Sequence, residues 1–290
     1  MNSSPPLVSV CLPTFNGEKY LQEALDSLSS QTYPNLELIV SDDASQDKSL
    51  ELIKNFQQSW KFPVSIHHHT PSTIGANWNN CLRHASGKYI KFLFQDDVLY
   101  PECIEKLVNA AEQDEQIGIV FCQRDFILEE NSPETQEWVS RFKDLQETDD
   151  FFKNSNRIKG SVILCSESLL ETPMNKIGEP TTVLFPKKML NETGYFNEDL
   201  VQILDYEFYY RILKKYDVVM VDEALAGFRV HPGQATMVNK DKDMEDYNIY
   251  FRLLYQNFFR YLHYKVKWRL FKRYNPVLRK GVRLKKIFST

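Results

Sequence analysis

The sequence lacks several features that would define other classes of protein. Its five cysteines are scattered along 290 residues, odd in number and without a C-x-x-C pair. This pattern argues against a disulfide framework or a zinc site, and it fits a reducing, cytoplasmic compartment. The first six residues have no basic segment followed by a long apolar run, so we expect no signal peptide. No stretch approaches 18 uninterrupted apolar residues, so we expect no membrane-spanning helix.

Acidic residues are absent from one part of the chain. Residues 247–290 contain no Asp or Glu. The twelve bases of this segment are Arg252, Arg260, Lys265, Lys267, Arg269, Lys272, Arg273, Arg279, Lys280, Arg283, Lys285 and Lys286. Since the whole chain carries a net charge of −4, the other 246 residues carry −16. We therefore predict an acidic main domain, residues 1–240, and a helical, basic and aromatic extension, residues 241–290.

Short apolar runs that favour buried strands alternate with helical patterns over the first 122 residues. The predicted strands cover residues 7–12, 36–40, 64–67, a run that begins at 89, and 117–122. The predicted helices cover residues 18–28, 50–56, 75–85 and 103–111. This alternation predicts an α/β fold with a mainly parallel, Rossmann-like sheet and right-handed crossovers.

The pattern fades between residues 123 and 160, where we expect an insertion or a mobile loop over the site. Strand and helix patterns resume at residue 181. Strands are predicted at 181–185, 218–221 and 225–230, helices at 186–192 and 207–215, and a mixed helical stretch from residue 241.

Pairs of carboxylates follow two of the predicted strands. Asp42 and Asp43 end the second strand, and Asp96 and Asp97 end the strand that begins at Tyr89. In an open parallel sheet, ligands bind outside the carboxyl ends of the strands. Hard divalent cations prefer oxygen ligands. Either pair alone could cap the following helix, but repetition at the same edge of the sheet favours a site for a divalent cation and a phosphate.

The turn after the first strand excludes one rival class. A nicotinamide-dependent oxidoreductase would carry G-x-G-x-x-G at this point, where its glycines let the backbone approach the pyrophosphate. The sequence instead has Pro13-Thr-Phe-Asn16. We therefore place the nucleotide-binding turn in a different family of α/β proteins.

Six short segments occur in a characteristic order between residues 7 and 233. They are Val8–Asn16, Leu38–Ser45, Gly87–Ile90 with Gln95–Asp97, Gly194–Glu198, Asp205–Arg211 and Phe228–His231. Together they resemble the inverting family 2 glycosyltransferases, which have the GT-A fold. The resemblance implies transfer of a sugar from a nucleotide-sugar donor, preferably a UDP-sugar, to a hydroxyl of a saccharide or lipid-linked saccharide. It also implies Mn²⁺ or Mg²⁺ as cofactor and a place in polysaccharide, lipopolysaccharide or glycan biosynthesis.

The resemblance also implies roles for residues of the nucleotide pocket. Pro13, Thr14 and Asn16 would line it, in the turn after the first strand. Asp43 would accept a hydrogen bond from the uracil N3–H, since a carboxylate offers acceptors only. Asp96 would face the ribose or the sugar.

The catalytic and metal roles follow from the same resemblance. Asp97 would bind the metal directly, and His231 would reach the metal or the diphosphate; a structural histidine is the alternative. Asp205 would be the catalytic base that takes the proton of the acceptor hydroxyl in a single, inverting displacement. Leu204 stands where the family usually has an acid, which leaves open whether Asp205 or Glu207 faces the acceptor.

Two further alternatives concern the whole chain and its extension. A non-catalytic member of the family, kept as a sugar-binding or assembly module, is the main rival to an enzyme. The basic and aromatic extension is typical of helices on anionic membrane surfaces, which would place the protein on the inner face of the cytoplasmic membrane. Packing on the body or on a second copy of the chain is the alternative, and no nucleic acid is expected because nothing else supports it.

Overall fold

The computed structural model describes residues 4–68, 70–146, 149–239 and 245–275. The basic residues from Arg279 onward, which were part of the predicted extension, lie outside the described residues. None of the helices in the described ranges is long and apolar enough to cross a bilayer.

Within these ranges, nine strands form one sheet. They are β1 (Val8–Thr14), β2 (Leu36–Asp42), β3 (Val64–His68), β4 (Tyr89–Phe92), β5 (Val98–Leu99), β6 (Ile117–Leu128), β7 (Arg157–Lys159), β8 (Val183–Pro186) and β9 (Asp217–Val230). The order across the sheet is β3-β2-β1-β4-β8-β6-β9-β5, and β7 also pairs with β9.

The sheet is mixed. Strands β3, β2, β1 and β4 are parallel neighbours, and β6 is parallel to β9. Strand β8 is antiparallel to both β4 and β6, while β5 and β7 are antiparallel to β9. The predicted α/β fold is confirmed, and the parallel arrangement holds for the first four strands, where helical crossovers connect them.

Eleven α-helices flank the sheet in the described ranges. They are α1 (Leu21–Ser29), α2 (Ser49–Ser59), α3 (Ile74–His84), α4 (Cys103–Ala111), α5 (Pro133–Phe142), α6 (Gly160–Leu164), α7 (Met189–Thr193), α8 (Leu204–Leu213), α9 (Ala235–Val238), α10 (Asp246–Leu253) and α11 (Tyr264–Tyr274). A 3₁₀ turn covers Pro180–Thr182, and a π-helical turn and a second 3₁₀ turn connect α10 to α11.

Alternation along the strands separates two hydrophobic cores. In β1, Val10 and Leu12 face the core formed with α1, α2 and α4, whereas Cys11 faces the core formed with α3, α8 and the C-terminal helices. Successive side chains of a strand point to opposite faces of the sheet. The sheet is therefore covered by helices on both faces, which explains why its strands read as continuous apolar runs in the sequence.

The segment 123–160, expected to be irregular, contains regular structure. Strand β6 continues to Leu128 because it stays paired with β9 as far as Val230, across register shifts near Gln123. Helix α5 follows, capped by the Ser132 hydroxyl, which accepts a hydrogen bond from the Thr135 N–H. Likewise, β9 is one strand where two were predicted.

The described part of the C-terminal extension packs on the body. Six of its apolar side chains are buried in the same core as α3 and α8: Tyr250, Leu254, Phe258, Leu262, Val266 and Leu270. Asp246 at the start of α10 is also buried, and its carboxylate accepts hydrogen bonds from the backbone N–H groups of residues 201–203 just before α8. These contacts tie the extension to the helix that carries Asp205.

Candidate active site

A cavity of about 340 Å³ lies at the carboxyl ends of β1, β2 and β4. It collects most of the predicted site residues, namely Pro13, Thr14, Asp43, Asp96, Asp97, Asp205 and His231. A larger cavity of about 720 Å³, between α8 and residues 256–261, contains none of them. The position at the ends of the parallel strands is where open α/β sheets bind ligands, so we take the smaller cavity as the candidate site.

Asn16 supports the cavity without lining it. Its backbone has a positive φ of 48°, in the left-handed region that Asn tolerates better than most residues. Its Oδ1 accepts a hydrogen bond from the Gln46 N–H at 2.8 Å, and its own N–H donates to Ser45 Oγ at 3.0 Å. Asn16 thus fixes the turn after β1 against the loop after β2, which keeps Pro13 and Thr14 at the cavity wall.

The two acids at the end of β2 have different surroundings. Asp42 is fully buried, and its carboxylate accepts hydrogen bonds from Thr14 Oγ1 at 3.2 Å and from the N–H and hydroxyl of Ser45 at 3.0 and 2.6 Å. Asp43 is half-buried and lines the cavity. Asp42 therefore holds the loop together, while Asp43 is the acid that lines the cavity.

The two acids that follow β4, Asp96 and Asp97, also have different surroundings. Asp96 Oδ2 lies 3.0 Å from His231 Nε2, and the Arg229 side chain donates from Nε to the Asp96 carbonyl at 2.9 Å. Tyr20 packs against the His231 ring with a centroid distance of 4.9 Å. A carboxylate oxygen from the turn between β4 and β5 and an imidazole nitrogen from the residue after β9 therefore meet at the cavity wall, although they are distant in sequence.

Asp97 is buried, with 2% of its surface exposed, and both of its oxygens accept hydrogen bonds. Thr181 Oγ1 donates to Oδ2, and the Arg229 backbone N–H donates to Oδ1 at 3.0 Å. Burial and the neighbouring Asp96 carboxylate raise the pKa of Asp97 well above its ordinary value. These contacts cross-link β4, the 3₁₀ turn and β9 beneath the cavity.

Asp205 lies in the first turn of α8 and lines the cavity. Asn175 Nδ2 donates to its Oδ2 at 3.0 Å, whereas its buried Oδ1 has no hydrogen-bond partner among the described residues. Burial raises the pKa of Asp205 to about 7. Glu207 is also buried but does not line the cavity; its Oε2 lies 3.1 Å from the Arg211 guanidinium. Of the two acids that the sequence left open, Asp205 faces the cavity.

Two residues of the site have no motif in the sequence. Glu179 lines the cavity and pairs with Arg124, whose Nε lies 2.6 Å from Glu179 Oε2. Asn175 orients the Asp205 carboxylate and also caps its own loop, since its Oδ1 accepts hydrogen bonds from two backbone N–H groups. Both stand singly among residues without clear periodicity, so nothing in the sequence marks them.

Lys91 is a third residue that the sequence motifs did not identify, although the sequence does mark it as unusual. It is the only charged residue between Lys88 and Asp96, inside an apolar run, and it is fully buried in β4. Burial lowers its pKa, and its ammonium donates to the Thr181 carbonyl. Because Thr181 also binds Asp97, Lys91 supports the floor of the cavity.

The residues present fit a divalent cation only in combination with a ligand. No group of three or more His, Cys, Asp or Glu side chains in the described part of the chain could hold a metal ion by itself. Mg²⁺ and similar cations are commonly held by one or two protein side chains together with substrate phosphates. Asp96 and His231 would supply such a pair if the cation replaced the contact between Asp96 Oδ2 and His231 Nε2, whereas both oxygens of Asp97 accept hydrogen bonds from protein donors beneath the cavity.

Comparison with known proteins identifies relatives over most of the chain. Residues 9–171 match the family described as Glycosyl transferase family 2. Among curated proteins, an uncharacterised glycosyltransferase of Rickettsia typhi is 28% identical over 236 residues, which cover 81% of this chain and 67% of the relative.

Solved structures of similar fold include complexes with nucleotide sugars. S. aureus TarS 1–349, in complex with UDP-GlcNAc, superposes with a TM-score of 0.60 at 22% identity, covering 85% of this chain and 64% of that one. The mannosyltransferase PcManGT of Pyrobaculum calidifontis, in complex with GDP-Man and Mn²⁺, gives a TM-score of 0.57 at 19% identity, covering 86% and 61%. At these identities the likeness establishes a shared fold.

Proposed function

The chain belongs to glycosyl transferase family 2 and has the GT-A fold, and from this premise we propose that it transfers a sugar from a UDP-sugar to a hydroxyl of a saccharide or lipid-linked saccharide, with inversion at the anomeric carbon. The observation that carries this proposal is Asp205. It has one anchored oxygen, one buried oxygen without a partner among the described residues, and a pKa of about 7, in the cavity at the ends of the parallel strands.

The donor assignment rests on the first turn and on Asp43. Pro13 and Thr14 line the cavity beside Asp43, whose carboxylate can accept from the N3–H of uracil but cannot donate to an acceptor. TarS binds UDP-GlcNAc and PcManGT binds GDP-Man, so the fold accepts more than one base. We assign uracil to this chain because a single carboxylate fits the single N3–H donor.

We assign the metal, Mn²⁺ or Mg²⁺, to Asp96 and His231 rather than to the pair of Asp97 and His231 that the family resemblance implied. Asp96 and His231 present an oxygen and a nitrogen 3.0 Å apart at the cavity wall. Asp97 is buried and held by Thr181 and Arg229, which favours a supporting role. When bound, the cation would neutralise charge on the diphosphate leaving group.

The acid–base chemistry needs only one residue. The Asp205 carboxylate, held through Oδ2 by Asn175, lines the cavity and accepts the proton of the acceptor hydroxyl. The oxygen then attacks the anomeric carbon as the bond to the nucleoside diphosphate breaks, so the configuration inverts. A pKa near the working pH keeps much of the carboxylate ionised while leaving it basic enough to take the proton.

The surface of α11 supports peripheral membrane association. Helix α11 contains five bases and no acid, and its Val266 and Leu270 are buried against the body. Tyr264 and Trp268, one turn apart, are 68% and 56% exposed. Exposed aromatics among bases suit an anionic bilayer surface, where the rings lie at the headgroup level.

Vesicle sedimentation tests this membrane surface. We expect wild type to sediment with phosphatidylglycerol-containing vesicles at low salt, and a Tyr264→Ala/Trp268→Ala double variant to remain in solution. Trp60→Ala, remote from α11, serves as the control. If both variants sediment like wild type, the membrane assignment is wrong; a concentration-dependent dimer that the double variant abolishes would assign this surface to a second copy instead.

Thermal-shift measurements test the function itself. We expect UDP with Mn²⁺ to raise the melting temperature, because a ligand selective for the folded state stabilises it. If GDP or dTDP raises the melting temperature and UDP does not, the transferase assignment stands and the uracil assignment is wrong. No shift with any nucleotide, and no turnover of any nucleotide sugar, would favour the non-catalytic module.

A further inference from the structure

A second cavity, of about 320 Å³, adjoins the first at Asp205. Five residues line both cavities: Glu179, Gln202, Asp205, Phe228 and Thr236. The first cavity continues from them toward Asp43, Asp96 and His231, whereas the second continues toward α5 and Asn175. The proposed base therefore stands on the boundary between two spaces, each within the volume range of small-ligand pockets, roughly 300–1,000 Å³.

Three aromatic rings form one wall of the second cavity. Trp138 of α5 lies over Phe228 of β9, with ring planes 14° apart and centroids 6.0 Å apart. Phe142 packs beside Trp138 with a centroid distance of 4.9 Å. All three rings line the cavity and are only half-buried. No residue of α5 is fully buried, so the helix contributes a wall to the cavity rather than a layer of the core.

Polar groups stand at the boundary between the two cavities. Gln202 and Thr236 line both cavities together with Asp205, and Asn175, which lines the second, donates to the Asp205 carboxylate. Aromatic rings together with hydrogen-bonding groups suit a pyranose ring, whose C–H groups form an apolar face and whose hydroxyls need polar partners. Arg141, exposed on α5, also lines this cavity, but a nucleoside diphosphate would require several such donors.

We infer that the second cavity is the acceptor subsite and that it takes a saccharide whose ring stacks against Trp138. This inference rests on the proposed function. In an inverting displacement the attacking hydroxyl approaches opposite the leaving group. Asp205 lines both cavities, so a sugar against Trp138 can bring a hydroxyl to the Asp205 carboxylate while the nucleotide occupies the first cavity.

A ring truncation with matched controls tests the subsite. Trp138→Ala removes the stacking surface, Trp138→Phe keeps an aromatic ring, and Trp60→Ala is the same truncation at a half-buried site outside both cavities. The probes are the methyl glycosides of glucose, galactose, mannose and N-acetylglucosamine. Their binding is followed by saturation-transfer NMR, and their KM by transfer from the nucleotide sugar that wild type turns over.

We expect Trp138→Ala to raise the KM and dissociation constant of the accepted glycoside about tenfold or more. Donor affinity and the rate of donor hydrolysis without acceptor should stay within twofold of wild type. Trp138→Phe should recover most of the glycoside affinity, and Trp60→Ala should behave as wild type.

The possible failures are separable. An unchanged glycoside affinity in Trp138→Ala, or an equal loss of donor affinity, would overturn the acceptor assignment while leaving the transferase intact. Failure of all four glycosides to bind wild type, with the nucleotide sugar bound and hydrolysed, would overturn a saccharide as the occupant. Failure of wild type to bind or hydrolyse any nucleotide sugar would instead refute the proposed function, and glycoside binding measured directly would still report on the cavity.

Discussion

Asn175 donates a hydrogen bond from Nδ2 to Asp205 Oδ2 at 3.0 Å, while Oδ1 of the same carboxylate is buried without a hydrogen-bond partner among the described residues. One oxygen is anchored and the other has no protein partner in the described ranges. An unpaired buried carboxylate oxygen is costly, and burial accordingly raises the pKa of Asp205 to about 7. The pair therefore holds a carboxylate of near-neutral pKa at a fixed position, and its proposed role as the base can be tested at either residue.

Replacing Asp205 by the isosteric amide should remove the base. We expect Asp205→Asn to lower kcat by roughly 10²–10⁴-fold, the usual contribution of a positioned general base. The wild-type rate should rise with pH through about 7, as Asp205 ionises, and this limb should be absent from the residual rate of the variant. The measurement is kcat against pH with saturating nucleotide sugar.

Glu207→Gln is the matched control for that experiment. Glu207 lies on the same helical turn but faces Arg211 and does not line the cavity. We expect this variant to lose stability, because the half-buried Arg211 guanidinium loses its counter-charge, and to keep the wild-type pH profile. A loss of the pH limb in Glu207→Gln rather than in Asp205→Asn would transfer the base role to Glu207.

Asn175→Asp should shift the pH profile upward. The variant keeps the oxygen that accepts from the N–H groups of Ile177 and Gly178, but it replaces the donor to Asp205 by a second negative charge. Loss of a donor and gain of a like charge both disfavour the ionised form of Asp205, so the midpoint should rise by about one pH unit or more. An unshifted midpoint with reduced kcat would show that Asn175 acts only through the shape of its loop.

The pKa of Asp205 also predicts how stability depends on pH. Because its pKa in the folded state is raised to about 7, its contribution to stability is full below the ordinary pKa of a carboxyl and is lost as pH rises through 7. The Glu179 carboxylate, paired with Arg124, adds to this effect. Asp205→Asn removes the ionisation. The difference in melting temperature, variant minus wild type, should therefore increase by about 3 °C or more between pH 4 and pH 8. If calorimetric scans give the same difference in melting temperature at every pH, the raised pKa of Asp205 is contradicted.

The sequence predicted the first half of the fold well because its signals are local. Strands β1, β2 and β4 are buried on both faces and read as continuous apolar runs. Helix α4, Cys103–Ala111, has a complete apolar stripe and was predicted with its observed bounds. The segment 123–160 gave no such signal, since the end of β6 depends on pairing with β9 and α5 buries no residue fully.

In the site too, some features follow from the local sequence and others from contacts with residues far along the chain. Asp43, Asp96, Asp205 and His231 lie in or beside short motifs, and the structure brings them to one cavity. Which member of an acidic pair faces a ligand depends on partners far away in sequence. Asp97 is engaged by groups 84 and 132 residues further along the chain, so its orientation could not be inferred from adjacent residues.

The two acids after β4 can be separated by parallel substitutions. Asp96→Asn should remove a metal ligand while leaving the fold intact, because the Asp96 side chain is only partly buried and its main structural contact is through its carbonyl. We expect Mn²⁺ to stop enhancing UDP affinity, a loss of about tenfold or more, with little change in melting temperature. His231→Gln should behave in the same way.

Asp97→Asn should do the opposite. The amide oxygen can still accept from the Arg229 N–H, but the amide NH₂ then faces Thr181 Oγ1, and the Thr181 hydroxyl proton loses its acceptor. Leaving one buried donor without a partner costs about 1–3 kcal/mol. The variant should therefore unfold at lower temperature yet keep the Mn²⁺-dependent gain in UDP affinity. Calorimetric titration of UDP with and without Mn²⁺, beside thermal unfolding of each variant, distinguishes the two. If Asp97→Asn abolishes the Mn²⁺ effect at unchanged stability while Asp96→Asn retains it, then Asp97 is the ligand and the cation reaches below the cavity wall that Asp96 and His231 form.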